Sequence, residues 1–178
     1  MNTGKHLLTT LLLLIFSSCG GIKTKASKEG IKLYETFFVG EEGTQYFIKP
    51  LKFKNSTESI LVDTTFRYKK KIEDSKPVDI KISLLSIDFI KEIKSITIKN
   101  TSGSSITINN NDIELLFNDQ SKKGYISRFS AKCSLVDLKK LHEDNSWNIT
   151  IDQRPTFIST SSTEKKLEKL SRAIFILL

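Results

Sequence analysis

The chain has 178 residues, 38% of them hydrophobic, with 28 Lys and Arg against 20 Asp and Glu for a formal net charge of +8. That length fits one domain of ordinary size, and 11 Phe with 4 Tyr supply material for a sizeable core. Disorder of the whole chain is excluded, because such a composition buries enough apolar surface to offset conformational entropy.

Met1 to His6 form a short polar stretch whose only fixed charge is Lys5, and an apolar run from Leu7 to Phe16, broken by Thr9 and Thr10, comes next. This is the layout of a secretory signal. A spanning helix needs about 20 apolar residues to cross roughly 30 Å of hydrocarbon, so the run is too short for a permanent transmembrane anchor. It closes on Phe16, Ser17, Ser18, Cys19 and Gly20, which put two small residues directly before a cysteine.

That stretch resembles the lipobox of bacterial lipoproteins, in the relaxed form frequent in Bacteroidetes-like members, with Phe16 where Leu is usual. The resemblance covers roughly the first twenty residues. It implies that the Cys19 sulfur receives a diacylglyceryl group, that a peptidase cuts between Ser18 and Cys19, and that the mature chain carries acyl chains, palmitate among them. The membrane is then the first partner, because each buried methylene contributes about 0.8 kcal/mol and several chains make desorption very slow. An Asp after the lipidated cysteine is the usual inner-membrane retention signal. Gly20 stands there instead, which implies the outer membrane. The stretch Gly20 to Lys25 lacks the acidic cluster of surface-exported lipoproteins, which implies the periplasmic face.

The expected organisation is a signal peptide over 1–18, the lipidated cysteine and a Gly-, Lys- and Ser-rich tether over 19–30, and a single β-rich domain over 31–178. Removing residues 1–18 takes away one Lys and no acid, so the charge becomes +7. In a cytoplasmic protein that excess would suggest nucleic acid. Export argues against it, and the cations are scattered as pairs such as Lys122 with Lys123, Lys139 with Lys140 and Lys165 with Lys166, with one run at Lys69 to Lys71. A narrower reading is attraction to anionic lipid headgroups or an acidic envelope polymer. With Cys19 acylated, Cys133 has no intramolecular disulfide partner, and the fold must stand on its core.

From Ile31 the dominant signal is alternation with period two. Strands are predicted over Ile31 to Val39 and then across Pro50, where the inward set Tyr46 and Ile48 gives way to Leu51 and Phe53. Such a phase change marks a bulge or an edge. Ile60, Val62, Thr64, Phe66 and Tyr68 share one face of the clearest strand, with Ser59, Asp63, Thr65, Arg67 and Lys69 opposite. The next inward set, Val78, Ile80, Ile82 and Leu84, is expected to flip to Leu85, Ile87 and Phe89. Further strands are read over Ser95 to Lys99, Ser104 to Ile108, Asp112 to Phe117, Tyr125 to Cys133, Trp147 to Ile151 and Thr156 to Thr160. Turns are read at Gly40 to Gly43, Asn100 to Gly103, Asn109 to Asn111, Lys123 with Gly124, and Asp152 to Pro155. The expected class is mainly β: an antiparallel sandwich, immunoglobulin-like or similar, or a small barrel.

Two helices interrupt the strands. A short one begins at Ser134 and carries Leu138 and Leu141 inward. The last is marked by the capping-box spacing of Ser161 and Glu164. It places Leu167, Leu170, Ile174 and Leu177 on one side and Lys165, Glu168, Lys169 and Arg172 on the other, while its end, Ala173 to Leu178, is open to a strand reading.

No catalytic or metal-ligating set, and no cofactor signature, emerges. The histidine of the mature domain, His142, sits beside Glu143 and Asp144 at a predicted helix end, where a solvated imidazole suits the helix dipole. Cys133, on a half-buried strand face with Tyr125, Phe129 and Ala131, reads as an inert thiol. Asn109 to Asp112 lacks the spaced carboxylates of a calcium loop and reads as a turn. Asp63, Thr64, Thr65 resembles the O-glycosylation sequon of Bacteroidetes, but Thr64 falls on an apolar strand face. The reading is a lipid-anchored, non-catalytic envelope protein that binds a protein or polymer partner, by residues the sequence leaves unassigned. A carrier of a hydrophobic ligand and an envelope hydrolase are the alternatives.

Overall fold

The structure, a computed structural model, describes residues 33–69 and 77–178. The expected signal segment with Ser18, the lipidated Cys19 and the tether lie outside the described residues, as do Lys70 and Lys71. Among the described residues ten strands form one antiparallel sheet: β1 (Tyr34–Phe38), β2 (Thr44–Lys54), β3 (Ser59–Tyr68), β4 (Pro77–Ser86), β5 (Ser95–Asn100), β6 (Ser105–Asn109), β7 (Ile113–Ser121), β8 (Gly124–Ser134), β9 (Trp147–Ile151) and β10 (Phe157–Ser159). Their spatial order is β6-β5-β9-β10-β2-β3-β4-β8-β7, with β1 also paired to β2.

This order dictates the shape. β6 and β7 lie at opposite ends of the sheet, yet only the 3-10 turn Asn110–Asp112 separates them in the chain. Three residues span little more than 10 Å, so the sheet must curl until its two edges meet there. The result is a nearly closed, barrel-like sheet that is not clearly the expected sandwich. The asparagine-rich turn read from the sequence is thus the link that draws the edges together.

Alternation holds along most strands. β4 buries Val78, Ile80, Ile82, Leu84 and Ser86 in strict phase, and the flip expected after Leu84 does not occur. The strand ends at Ser86, whose hydroxyl accepts from the Asp88 amide. Ile87 and Phe89 stay exposed, and Ile90 and Ile93 enter the core in their place. At the turn into β8, Gly124 has φ +123, and a Cβ there would collide with the Ser86 carbonyl oxygen. Only glycine suits both the dihedral and the close approach.

In β2 the expected phase change is present. Its register on β3 slips between Ile48 and Leu51, around Pro50. On its other edge β2 pairs with β1 over Thr44 to Ile48 and with β10 at Phe53 and Lys54. Pro50, which has no amide to donate, falls where one partner has ended and the next has not begun.

The interior is lined by Phe53, Ile60, Ile80, Ile82, Leu84, Ile96, Ile98, Phe129 and Phe157, all essentially inaccessible. Two helices complete it. Helix α1 (Leu135–Leu141) buries Leu135, Leu138 and Leu141 and is capped by Ser134, whose hydroxyl accepts from the Asp137 amide at 3.0 Å. Helix α2 (Ser161–Leu170) buries Leu167 and Leu170. Its cap is Thr160, one residue before the expected Ser161, and accepts from the Thr163 amide at 3.3 Å. The Glu164 carboxylate, expected to close a capping box, instead accepts from the hydroxyls of Ser159 and Ser146. α2 runs into a π turn, Ser171–Phe175, where the Ile176 amide donates to the Ser171 carbonyl. The tail is therefore helical. The extra residue of a π turn rotates the residues beyond it by about 100°, so Ile174 and Phe175 point inward and Leu177, expected inside, lies outside.

The outer face also has structure. Asp63 of β3 is buried against Arg128 of β8 at 2.6 Å, reaching across β4, and Arg128 also donates to Ser83 at 2.6 Å. Removing one partner of a fully buried pair costs about 3–5 kcal/mol. Because the Arg128 side chain keeps 23% exposure, Asp63→Ala is expected to cost only about 1–2 kcal/mol, read as a lower urea midpoint.

Candidate functional site

Two surface features stand apart from a regular polar β-surface. The first forms where β2 changes partners. Because β1 ends before the bulge and β10 begins after it, the edge of β2 is open around Pro50, and α2 lies beside the opening. Between them runs a groove of about 770 Å³. Leu33, Lys49, Pro50 and Leu51 form one wall, and Lys165, Lys166 and Lys169 of α2 the other. Lys49 pairs with Glu35 at 3.4 Å, while the three α2 lysines form no ion pair among the described residues. Their acidic neighbours on α2 are engaged elsewhere: Glu164 on the two serines and Glu168 on Arg172 at 2.6 Å. The groove is thus a cluster of ammonium groups, borne by exposed Lys49, Lys165 and Lys169 and half-buried Lys166, with Lys49 partly neutralised.

On the same outer face of β2, two residues before Lys49, Phe47 stands edge-to-face with Phe37 of β1, centroids 5.6 Å apart at 85°. Both rings are more than 40% exposed.

The second feature is β7. Among the described residues it pairs with β8 alone, so one of its edges carries backbone donors and acceptors that no described strand uses. Leu115, Leu116 and Phe117 are 36%, 43% and 44% exposed. A register shift between Leu115 and Phe117 makes Leu116 an extra residue, and such edge bulges limit indiscriminate pairing. The three consecutive apolar residues break the alternation of a half-buried strand, which is the sequence signal of this exposed edge.

The residues the sequence singled out are dispersed. His142 is not at a solvated helix end. It is buried, with its ring stacked on Phe175 at 3.8 Å and 13° and edge-on to Trp147 at 4.7 Å. Its Nδ1 has no hydrogen-bond partner among the described residues, and burial pushes its pKa down to about 3. The physical reason is the π turn, which brings Phe175 over the ring while Ser171 Oγ donates to the His142 carbonyl at 2.7 Å. Asp144 is held below the usual carboxylate range, first by the Thr101 hydroxyl. Cys133 is half-buried and its thiol is pushed up to about 12, chiefly by burial, with Asp137 and Asp79 adding to it; a thiol so placed is a poor nucleophile. Among the described residues no three His, Cys, Asp or Glu side chains converge to hold a metal. Thr64 of the sequon-like triplet faces the core, where a glycan has no room. No helix among the described residues is long and apolar enough to cross a membrane.

The lysine groove was not legible in the sequence. Lys49 and Lys165 are 116 positions apart, and nothing local relates them. Comparison with protein-family models, with curated proteins and with solved structures finds no match.

Proposed function

We propose that this chain is a lipid-anchored, non-catalytic protein of the cell envelope, held by acyl chains on Cys19 at the periplasmic face of the outer membrane, where it binds a protein or polymer partner. The anchor is read from Phe16 to Gly20. The observation that carries the binding half is β7: an edge strand with unused backbone groups and three exposed apolar side chains. An extended segment of another protein can add to such an edge, with main-chain hydrogen bonds giving affinity and side-chain contacts giving choice. The carrier alternative receives less support, since Phe53, Phe129 and Phe157 occupy the interior a ligand would need.

The test is cross-linking in intact cells of the source bacterium with three tagged forms: wild type, Cys19→Ala and Leu116→Lys. One envelope protein is expected to be captured by wild type, lost with Cys19→Ala, and reduced at least tenfold with Leu116→Lys, which places a charge on the edge while touching no core residue. Equal capture by all three forms sinks the reading.

A further inference from the structure

We infer that the lysine groove between β2 and α2, together with the Phe37–Phe47 pair beside it, is the surface the domain lays against a bilayer rich in anionic lipid headgroups. The inference rests on the reading of Cys19 as the anchor, which sets where the tether joins the domain. The described fold begins at Leu33, and Leu33 is itself part of the groove wall, its carbonyl accepting from the Lys49 amide at 2.8 Å. Cys19 and Leu33 are fourteen positions apart, at most about 50 Å of extended chain. The chain from the anchor therefore enters the domain at the groove wall, which lies within about 50 Å of Cys19.

Charge and apolar surface at this place match the two layers of a bilayer surface. Lys165, Lys166 and Lys169 present ammonium groups that no acid neutralises among the described residues, and Lys49 adds a fourth across the groove with Glu35 beside it. Phosphate headgroups attract such a cluster, and the long lysine stems let the charges stay at headgroup level while the domain approaches. Phe47 and Phe37 are the apolar complement, two exposed rings on the strand face that carries Lys49. Rings beside lysines are the pairing by which surface-bound segments sit at the boundary between headgroups and acyl chains. An acidic polymer would engage the lysines but would leave both phenyl rings in water.

The geometry also separates the two surfaces of the protein. β2 and β7 lie four positions apart in the sheet, with β3, β4 and β8 between them. Laying the β1–β2 side on the bilayer leaves the β7 edge free for a partner.

The experiment uses the full chain as Cys19→Ala, which cannot be acylated, against vesicles of phosphatidylcholine alone or with about a third phosphatidylglycerol. The phosphatidylcholine series subtracts adhesion by the uncharged run Leu7 to Phe16. Partitioning is expected to be much stronger on the anionic vesicles. It should fall about a hundredfold when Lys49, Lys165, Lys166 and Lys169 are replaced by Gln, since each lysine at an anionic surface is worth about fivefold and Lys49 less because of Glu35. All four are surface positions, and circular dichroism checks that the fold is kept. Equal partitioning of the four-Gln form, or no preference for anionic vesicles, overturns the inference. So does retention on immobilised polyphosphate without vesicle binding, which assigns the groove to a polymer. The anchor is tested separately by the mass of the Cys19 peptide from wild-type envelopes. An unmodified Cys19 removes the anchor reading, and with it the reason for placing the bilayer at the groove, while an acylated Cys19 with lysine-independent vesicle binding removes the groove alone.

Discussion

Between pH 6.5 and about pH 5 the protein is expected to lose about 2 kcal/mol of folding stability through His142 alone. In the folded chain burial holds this imidazole neutral down to about pH 3, whereas in the unfolded chain it takes up a proton below its ordinary pKa of 6.5. Below pH 6.5 the unfolded state thus binds a proton that the folded state refuses. Stability must then fall with falling pH, by about 1.4 kcal/mol per unit. The limit is about 5 kcal/mol if folding survives to pH 3, less if the π turn opens locally and lets the ring charge. The ordinary carboxyl pKa of about 4 lies below this window. Urea unfolding at pH 7, 6 and 5 checks this against His142→Phe, which keeps a flat ring between Phe175 and Trp147. The variant should show a much shallower slope. At pH 7 it should be at least as stable as wild type, because it also removes the unpartnered Nδ1. Parallel slopes for the two proteins would mean that His142 is hydrated in the folded state.

His142 also shows where reading from sequence stops. A histidine followed by Glu143 and Asp144 after a short helix has every local mark of a solvated end, and the helix itself was legible from Ser134, Leu138 and Leu141. What buries the ring is Phe175, 33 positions later, turned inward by the π turn. An ideal helical period assigned that inward place to Leu177 instead. The same limit explains Ile87 and Phe89, whose apolar alternation runs on in the opposite phase to that of β4 although the chain has already left the sheet. Strands were legible because alternation is a local property. Whether they curl into one barrel-like sheet is set by which strands pair: β10, itself legible as a strand, joins β9 to β2 through two residue pairs on each side, and nothing local names those partners. The proposed anchor motif is the opposite case, wholly local in Phe16 to Gly20. The β7 edge is intermediate: its apolar run is visible, its lack of a second partner strand is not.

The sharpest check on what was legible is a pair of substitutions in β2. Phe47 and Phe53 are six positions apart, and in a regular strand residues an even number apart share a face. The bulge around Pro50 breaks that rule, leaving Phe47 41% exposed beside Phe37 and Phe53 fully buried against Trp147, rings 6.3 Å apart and 13° from parallel. Phe53→Ala is expected to cost about 3–5 kcal/mol, because the fully buried ring leaves a cavity as well as lost transfer energy. That is a large part of the roughly 5–15 kcal/mol that holds a domain of this size together, enough to unfold a sizeable fraction at 37 °C. Phe47→Ala removes an exposed ring and one edge-to-face contact and should cost about 1 kcal/mol. Unfolding free energies from urea titration separate the two by a factor of three or more. Equal costs would place both rings on one face of β2. The groove would then lose the open edge that forms it, and Lys49 would no longer share a surface with the exposed Phe47.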